Sequence, residues 1–119
     1  MKRLLQRTCY LLGLTFLLSS NKSDLPADTP ACIRDLIAQL QEKPMSNPAA
    51  SVFQYNYGER TVYYMPPPGC CDKFSVLMDG FCQVICAPDG GFTGGGDGKC
   101  ADFSRVATDR KLVWRDDRK

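Results

Sequence analysis

The stretch "ACIRDLIAQLQEK" places Ile33, Leu36, Ile37 and Leu40 at i, i+3, i+4 and i+7, which is one apolar face of a helix. Thr29 suits the N-cap and Pro30 the first helical position, where its missing N–H costs nothing. Pro44 stops the pattern. "SVFQYNYGERTVYYM" then switches to strand composition around Gly58-Glu59, a two-residue turn with glycine first. Counting back from that turn pairs Tyr57 with Arg60, Tyr55 with Val62 and Phe53 with Tyr64. One face of the hairpin carries Phe53, Tyr55, Tyr57, Val62 and Tyr64; the other carries Gln54, Asn56, Thr61 and Tyr63. The helix is expected on the aromatic face, where cross-strand aromatic pairs add stability. "KFSVLMDGFCQVIC" predicts a second hairpin turning at Asp79-Gly80, and "KLVW" a last strand. The pattern therefore predicts an α+β domain: one N-terminal helix on an antiparallel sheet of about four strands, with a Gly-rich loop.

The first residues fit a different purpose. Lys2, Arg3 and Arg7 precede an apolar run from Tyr10 to Leu18, and small residues follow. That order predicts an export signal over residues 1–20, shorter than the roughly 20 apolar residues of a membrane span. Residues 21–29 read as a spacer and residues 30–119 as a single domain. "LSS" at Leu18–Ser20 has the shape of a lipoprotein cleavage box, but Asn21 stands where the lipid-accepting cysteine would be. The expected product is an exported protein of the periplasm, cell envelope or medium, touching membrane only through an uncleaved signal.

Charge and cysteine content narrow the class. Without residues 1–20 the chain carries thirteen acidic against twelve basic groups, so no broad positive field remains for nucleic acid. Six cysteines stay in the domain: Cys32, Cys70, Cys71, Cys82, Cys86 and Cys100. An even number in a small exported domain predicts a disulfide framework, with its connectivity left open. Adjacent Cys70 and Cys71 are each expected to pair with a distant cysteine. The chain contains no histidine, which removes the base of Ser-His-Asp and Cys-His mechanisms and every imidazole metal site. No catalytic constellation and no cofactor are expected.

The loop "CAPDGGFTGGGDGKC" matches neither the P-loop nor the EF-hand spacing. Its glycines suit tight turns and its aspartates suit capping of turn amides, with Cys86 and Cys100 closing the segment. The alternative ligand reading is a weak calcium site at Asp89, Asp97 and Asp102. The leading expectation is a non-catalytic binding or structural module for an unknown protein or envelope component. It would present the stiff glycine loop and the polar hairpin face. The alternatives are a protease inhibitor and a calcium-stabilised extracytoplasmic domain.

"VYYMPPPGCCDKFSVLMD" followed by "CAPDGGFTGGGDGKCADF" resembles a domain of unknown function found in small exported bacterial proteins, often lipoproteins. The residues that carry the resemblance are Cys32, Val62–Tyr64, Cys70–Asp72, Leu77, Asp79, Pro88–Gly91, Gly94, Gly96–Gly98 and Asp102-Phe103. Together they span roughly residues 30–114. The resemblance implies export and a small α+β fold, and it implies no activity, ligand or site residue.

Overall fold

The computed structural model describes residues 25–69 and 72–119. The predicted export signal and Cys70 and Cys71 lie outside them. Helix α1 (Ala31–Gln41) is followed by β1 (Ser51–Tyr57), β2 (Arg60–Met65), β3 (Val76–Met78), β4 (Val84–Cys86), the short helix α2 (Phe103–Val106) and β5 (Thr108–Arg115). The strands form one antiparallel sheet in the order β4-β3-β2-β1-β5. The α+β class stands, with five strands where about four were expected. The fifth arises because "KLVW" extends back to Thr108 and pairs along β1.

The first hairpin has the register counted from its turn: Phe53 opposite Tyr64, Tyr55 opposite Val62, Tyr57 opposite Arg60. Gly58 and Glu59 have φ of 62° and 64°. Two successive left-handed residues make the mirror-image turn whose twist matches that of the flanking strands. The second hairpin exists, but its connection is longer than Asp79-Gly80. It runs from Asp79 to Gln83, with the Asp79 N–H donating to the Gln83 carbonyl at 3.0 Å. One Asp79 carboxylate oxygen accepts the N–H groups of Phe81 (2.8 Å) and Gln83 (3.0 Å). The extra residues carry Cys82, at φ 63°, to its partner Cys32 on α1.

The helix lies on the opposite sheet face from the one expected. Ile33 and Ile37 pack with Val52, Tyr63, Met78 and Val113. The aromatic face is instead covered by the segment after β4: Val62, Leu77, Cys86, Cys100 and Phe103 form a second cluster, with Tyr55, Tyr57 and Tyr64 at its margin. Phe103 meets the Tyr55 ring edge-on at 4.9 Å and stacks on Tyr64 at 5.6 Å. The sheet is thus a middle layer with both faces covered. Neighbours in sequence point to opposite faces, so Val62-Tyr63 and Leu77-Met78 are buried one on each side. That double burial explains why "VYYM" and "SVLM" are continuous apolar runs rather than alternating ones. Each fully buried Ile or Leu contributes about 1.5–3 kcal/mol.

Two expected ends also differ. Pro30, not Thr29, is the N-cap of α1, and its carbonyl accepts the Arg34 N–H at 3.0 Å. Thr29 is buried, and its carbonyl accepts Arg34 Nε at 3.1 Å. Arg34 Nη2 also donates to the Pro26 carbonyl at 2.9 Å, and Leu25 packs against the α1 core. Residues 25–29, expected as spacer, are therefore built into the fold. At the other end, buried Asp116 takes a two-pronged contact from Arg118, at 2.8 and 2.7 Å. Arg118 Nη1 donates to the Gln41 carbonyl at 3.0 Å and so satisfies an orphan acceptor at the C-terminal end of α1.

Candidate functional site

The three candidate calcium ligands do not form a site. Among the described residues no three acidic or cysteine side chains come together in a way that could hold a metal ion. Each aspartate serves a different protein donor. Asp89 accepts the Tyr64 hydroxyl at both oxygens, at 3.0 and 2.9 Å. Asp102 accepts the Tyr57 hydroxyl at 2.6 Å. Asp97 accepts the Lys99 N–H at 2.9 Å and the Ala87 N–H at 3.1 Å, and these bonds hold its carboxyl below the ordinary aspartate range. Burial, reinforced by Asp89, pushes the Tyr64 phenol up. The Asp102 hydrogen bond, with some burial, does the same to Tyr57. Both phenols therefore stay protonated at neutral pH, as hydrogen-bond donors rather than bases.

The glycine loop is a small folded body. Gly96 N–H donates to the Gly90 carbonyl at 3.0 Å, Asp97 N–H to the Ala87 carbonyl at 2.9 Å, and Gly91 N–H to the Lys73 carbonyl at 2.8 Å. A Cβ at Gly90 would collide with the Lys73 carbonyl, and one at Gly96 with the Ala87 carbonyl. These two positions need glycine for close approach as well as for their positive φ. Cys86–Cys100 closes the segment, and Cys32–Cys82 ties α1 to the β3–β4 turn. Cys32, Cys82, Cys86 and Cys100 are thus paired with one another. Cys70 and Cys71, each expected to pair with a distant cysteine, lie outside the described residues.

The polar hairpin face, expected as a presented surface, is partly roofed by α1: Tyr63 is buried beneath the helix, and only the tip residues Asn56 and Thr61 are exposed. The concave surface lies elsewhere. α1 stops short of β4 and leaves a groove of about 420 Å³ between itself and the sheet. Leu36, Met65, Val76, Met78 and Val84 line it, with the Cys32–Cys82 bridge at one end and Asp35 and Gln39 on the helix side. Beside it, Phe81 is 86% exposed and Val84 69% exposed. No hydrophobic periodicity in the chain marks this groove. Its sequence signal is the uncharged stretch from Phe81 to Ala87.

The order of the sheet makes β4 an edge strand. Asp79 and Gln83 form a hydrogen-bonded pair facing β3, so alternation turns the N–H and C=O of Val84 away from the sheet. The available edge is short. Ala87 is already covered by Asp97, and Cys82 belongs to the turn.

A family model described as a domain of unknown function (DUF6970) matches residues 38–116. The chain belongs to this family. No curated protein and no solved structure matches the chain. The DUF6970 span begins within α1 and ends at Asp116. It contains the whole sheet, the glycine loop and the floor of the groove, while the first two turns of α1, with Cys32, precede it. Two disulfides fit an oxidising, extracytoplasmic setting for this DUF6970 chain, and no described helix is long and apolar enough to cross a membrane.

Proposed function

We propose that the chain is a non-catalytic binding module, exported through the signal at residues 1–20, that holds an apolar segment of a partner protein in the groove between α1 and β2–β4. The observation that carries this reading is the groove itself. It is an open concavity lined by apolar Met65, Val76, Met78 and Val84, of which Val84 is largely exposed. Two of the floor residues are methionines, whose flexible thioethers repack around different shapes. The absence of histidine and the use of Asp89 and Asp102 as partners of protonated tyrosines support a role without catalysis. The resemblance to small exported bacterial proteins supports a role at a cell envelope, and Asn21 favours a form without lipid.

The test is methyl NMR on protein labelled at methionine, titrated with short extended peptides rich in Leu, Val and Phe. Met65 and Met78 should shift and saturate, while Met45, exposed and outside the groove, stays fixed. Equal shifts at all three, or none with any peptide, would reject the groove as the binding face.

A second reading draws on Phe92, which is 89% exposed in the disulfide-closed loop and offers a protease an aromatic anchor. The positive φ values at Gly90, Gly91, Gly94 and Gly96 coil that loop rather than extend it across a protease cleft, so the groove is the stronger basis.

A further inference from the structure

We infer that the groove is half of a site, and that a second copy of this chain completes it by pairing β4 with β4 across a two-fold axis. The inference rests on the groove being the binding face, and it names what lies on the open side. Val84 directs one donor and one acceptor outward from the sheet edge. Set antiparallel to the Val84 of a second copy, each N–H meets the other's carbonyl, so both groups of both copies are satisfied by one symmetric contact.

Three features favour a second copy over a flexible foreign strand. The edge offers ladder bonds at essentially one residue, because Asp97 covers Ala87 and the turn takes Cys82. A disordered peptide would have to offset its ordering entropy with that single pair, whereas a folded copy arrives ordered. The edge also passes the symmetry test for charge. A two-fold axis brings the groups nearest it close to their own images, and Phe81, Cys82, Gln83, Val84, Ile85 and Cys86 carry no charge in any pairing. The other sheet edge carries Asp109, Arg110, Lys111 and Arg115, charges that a second copy would have to match. Finally, antiparallel strands of a continuous sheet keep equivalent faces on the same side. The two α1 helices would therefore flank one trough, with the paired Val84 side chains on its floor and twice the volume of a single groove. The open side of each groove becomes its middle.

A contact at one strand residue is small beside the roughly 1,200 Å² of a standard interface, so association should be weak. Sedimentation velocity over a concentration series tests it. The weight-average coefficient should rise toward the dimer value across that series. Val84→Pro removes the outward N–H, and Val84→Lys sets two cations across the axis; each should hold the protein monomeric at every concentration. Leu112→Lys, on the β5 edge, should leave association unchanged. A monomeric unaltered protein at several hundred micromolar would overturn the dimer while leaving the peptide titration of Met65 and Met78 to judge the groove. Association that survives both Val84 variants, or is lost in Leu112→Lys, would also overturn it.

Discussion

The two edges of the sheet solve the same problem in opposite ways. β5 is eight residues long and lies along β1 in a ladder interrupted by two register shifts. It carries Arg110, Lys111 and Arg115, and Arg110 stacks over the Phe53 ring at 4.3 Å. Bulges and cations are devices that keep an edge from recruiting another strand. β4 has three residues, no charge and one register shift against β3; Cys82 just before it and Cys86 at its end belong to two separate disulfides. The long edge is held by its own ladder and defended against partners. The short edge cannot hold itself by pairing, is stapled from both ends, and is left apolar. The difference shows that attachment and exposure are set separately. Covalent bonds allow a strand too short to persist alone to remain uncharged and available.

The largest expected effects break the staples. In the chain-entropy picture, losing the 50-residue Cys32–Cys82 ring costs about 4 kcal/mol and losing the 14-residue Cys86–Cys100 ring about 3 kcal/mol. Denaturant unfolding of Cys32→Ala/Cys82→Ala and Cys86→Ala/Cys100→Ala checks both the sizes and the order. Amide exchange in the same variants should quicken at β3 and β4 before β5. Uniform acceleration would mean that the edges are not independently held.

Next comes a pair of valines, one on each edge. Val113 on β5 is buried, so Val113→Ala should cost about 2 kcal/mol from lost methyl burial and the cavity left behind. Val84 on β4 is exposed, so Val84→Ala should change stability by no more than about 0.5 kcal/mol. Thermal melts of dilute protein separate the two. A cost at Val84 near that at Val113 would show the short edge to be part of the core.

The smallest effect belongs to the clamp beyond β5 and is confined to acid. Hydrogen bonds from Arg118 hold the Asp116 carboxyl below its ordinary value. A folded value below the unfolded one means the clamp's contribution is complete above about pH 4 and is lost as pH falls through the lowered value. Melting midpoints from pH 7 to pH 2 should therefore drop more steeply in the unaltered protein than in Asp116→Asn, and only below about pH 4. Parallel curves would remove Asp116 from the account.

Much of this architecture was legible in the residues. Gly58-Glu59 set the register of the first hairpin because a two-residue turn leaves no freedom in the count. Ile33 and Ile37 marked the buried side of α1 because helical spacing aligns them. The face on which α1 sits was not legible. Aromatic content pointed to Tyr55 and Tyr64, whereas the decisive residues were Val52, Met78 and Val113, which meet only after three separate strands are ordered. The length of the β3–β4 turn depended on Cys82 reaching Cys32, a long-range constraint that no local turn signal contains. The groove was invisible for the same reason. It is the strip of sheet that α1 fails to cover, and its lining comes from α1, β2, β3, β4 and the turn. The three aspartates looked like ligands only while the positions of Tyr57, Tyr64 and the Ala87 and Lys99 amides were unknown.

The connectivity of the staples bears on how the protein is made. A chain entering an oxidising compartment N-terminus first presents Cys32, then Cys70 and Cys71, and only afterwards Cys82. Oxidation in order of arrival would join Cys32 to one of the adjacent pair and leave α1 without its tie to the β3–β4 turn. The native Cys32–Cys82 bond is therefore reached by waiting or by exchange. Cys86 and Cys100 arrive last and close their own ring without crossing the first. In such a compartment the domain would need a disulfide-shuffling catalyst as well as an oxidant, and the need for shuffling falls on one bond.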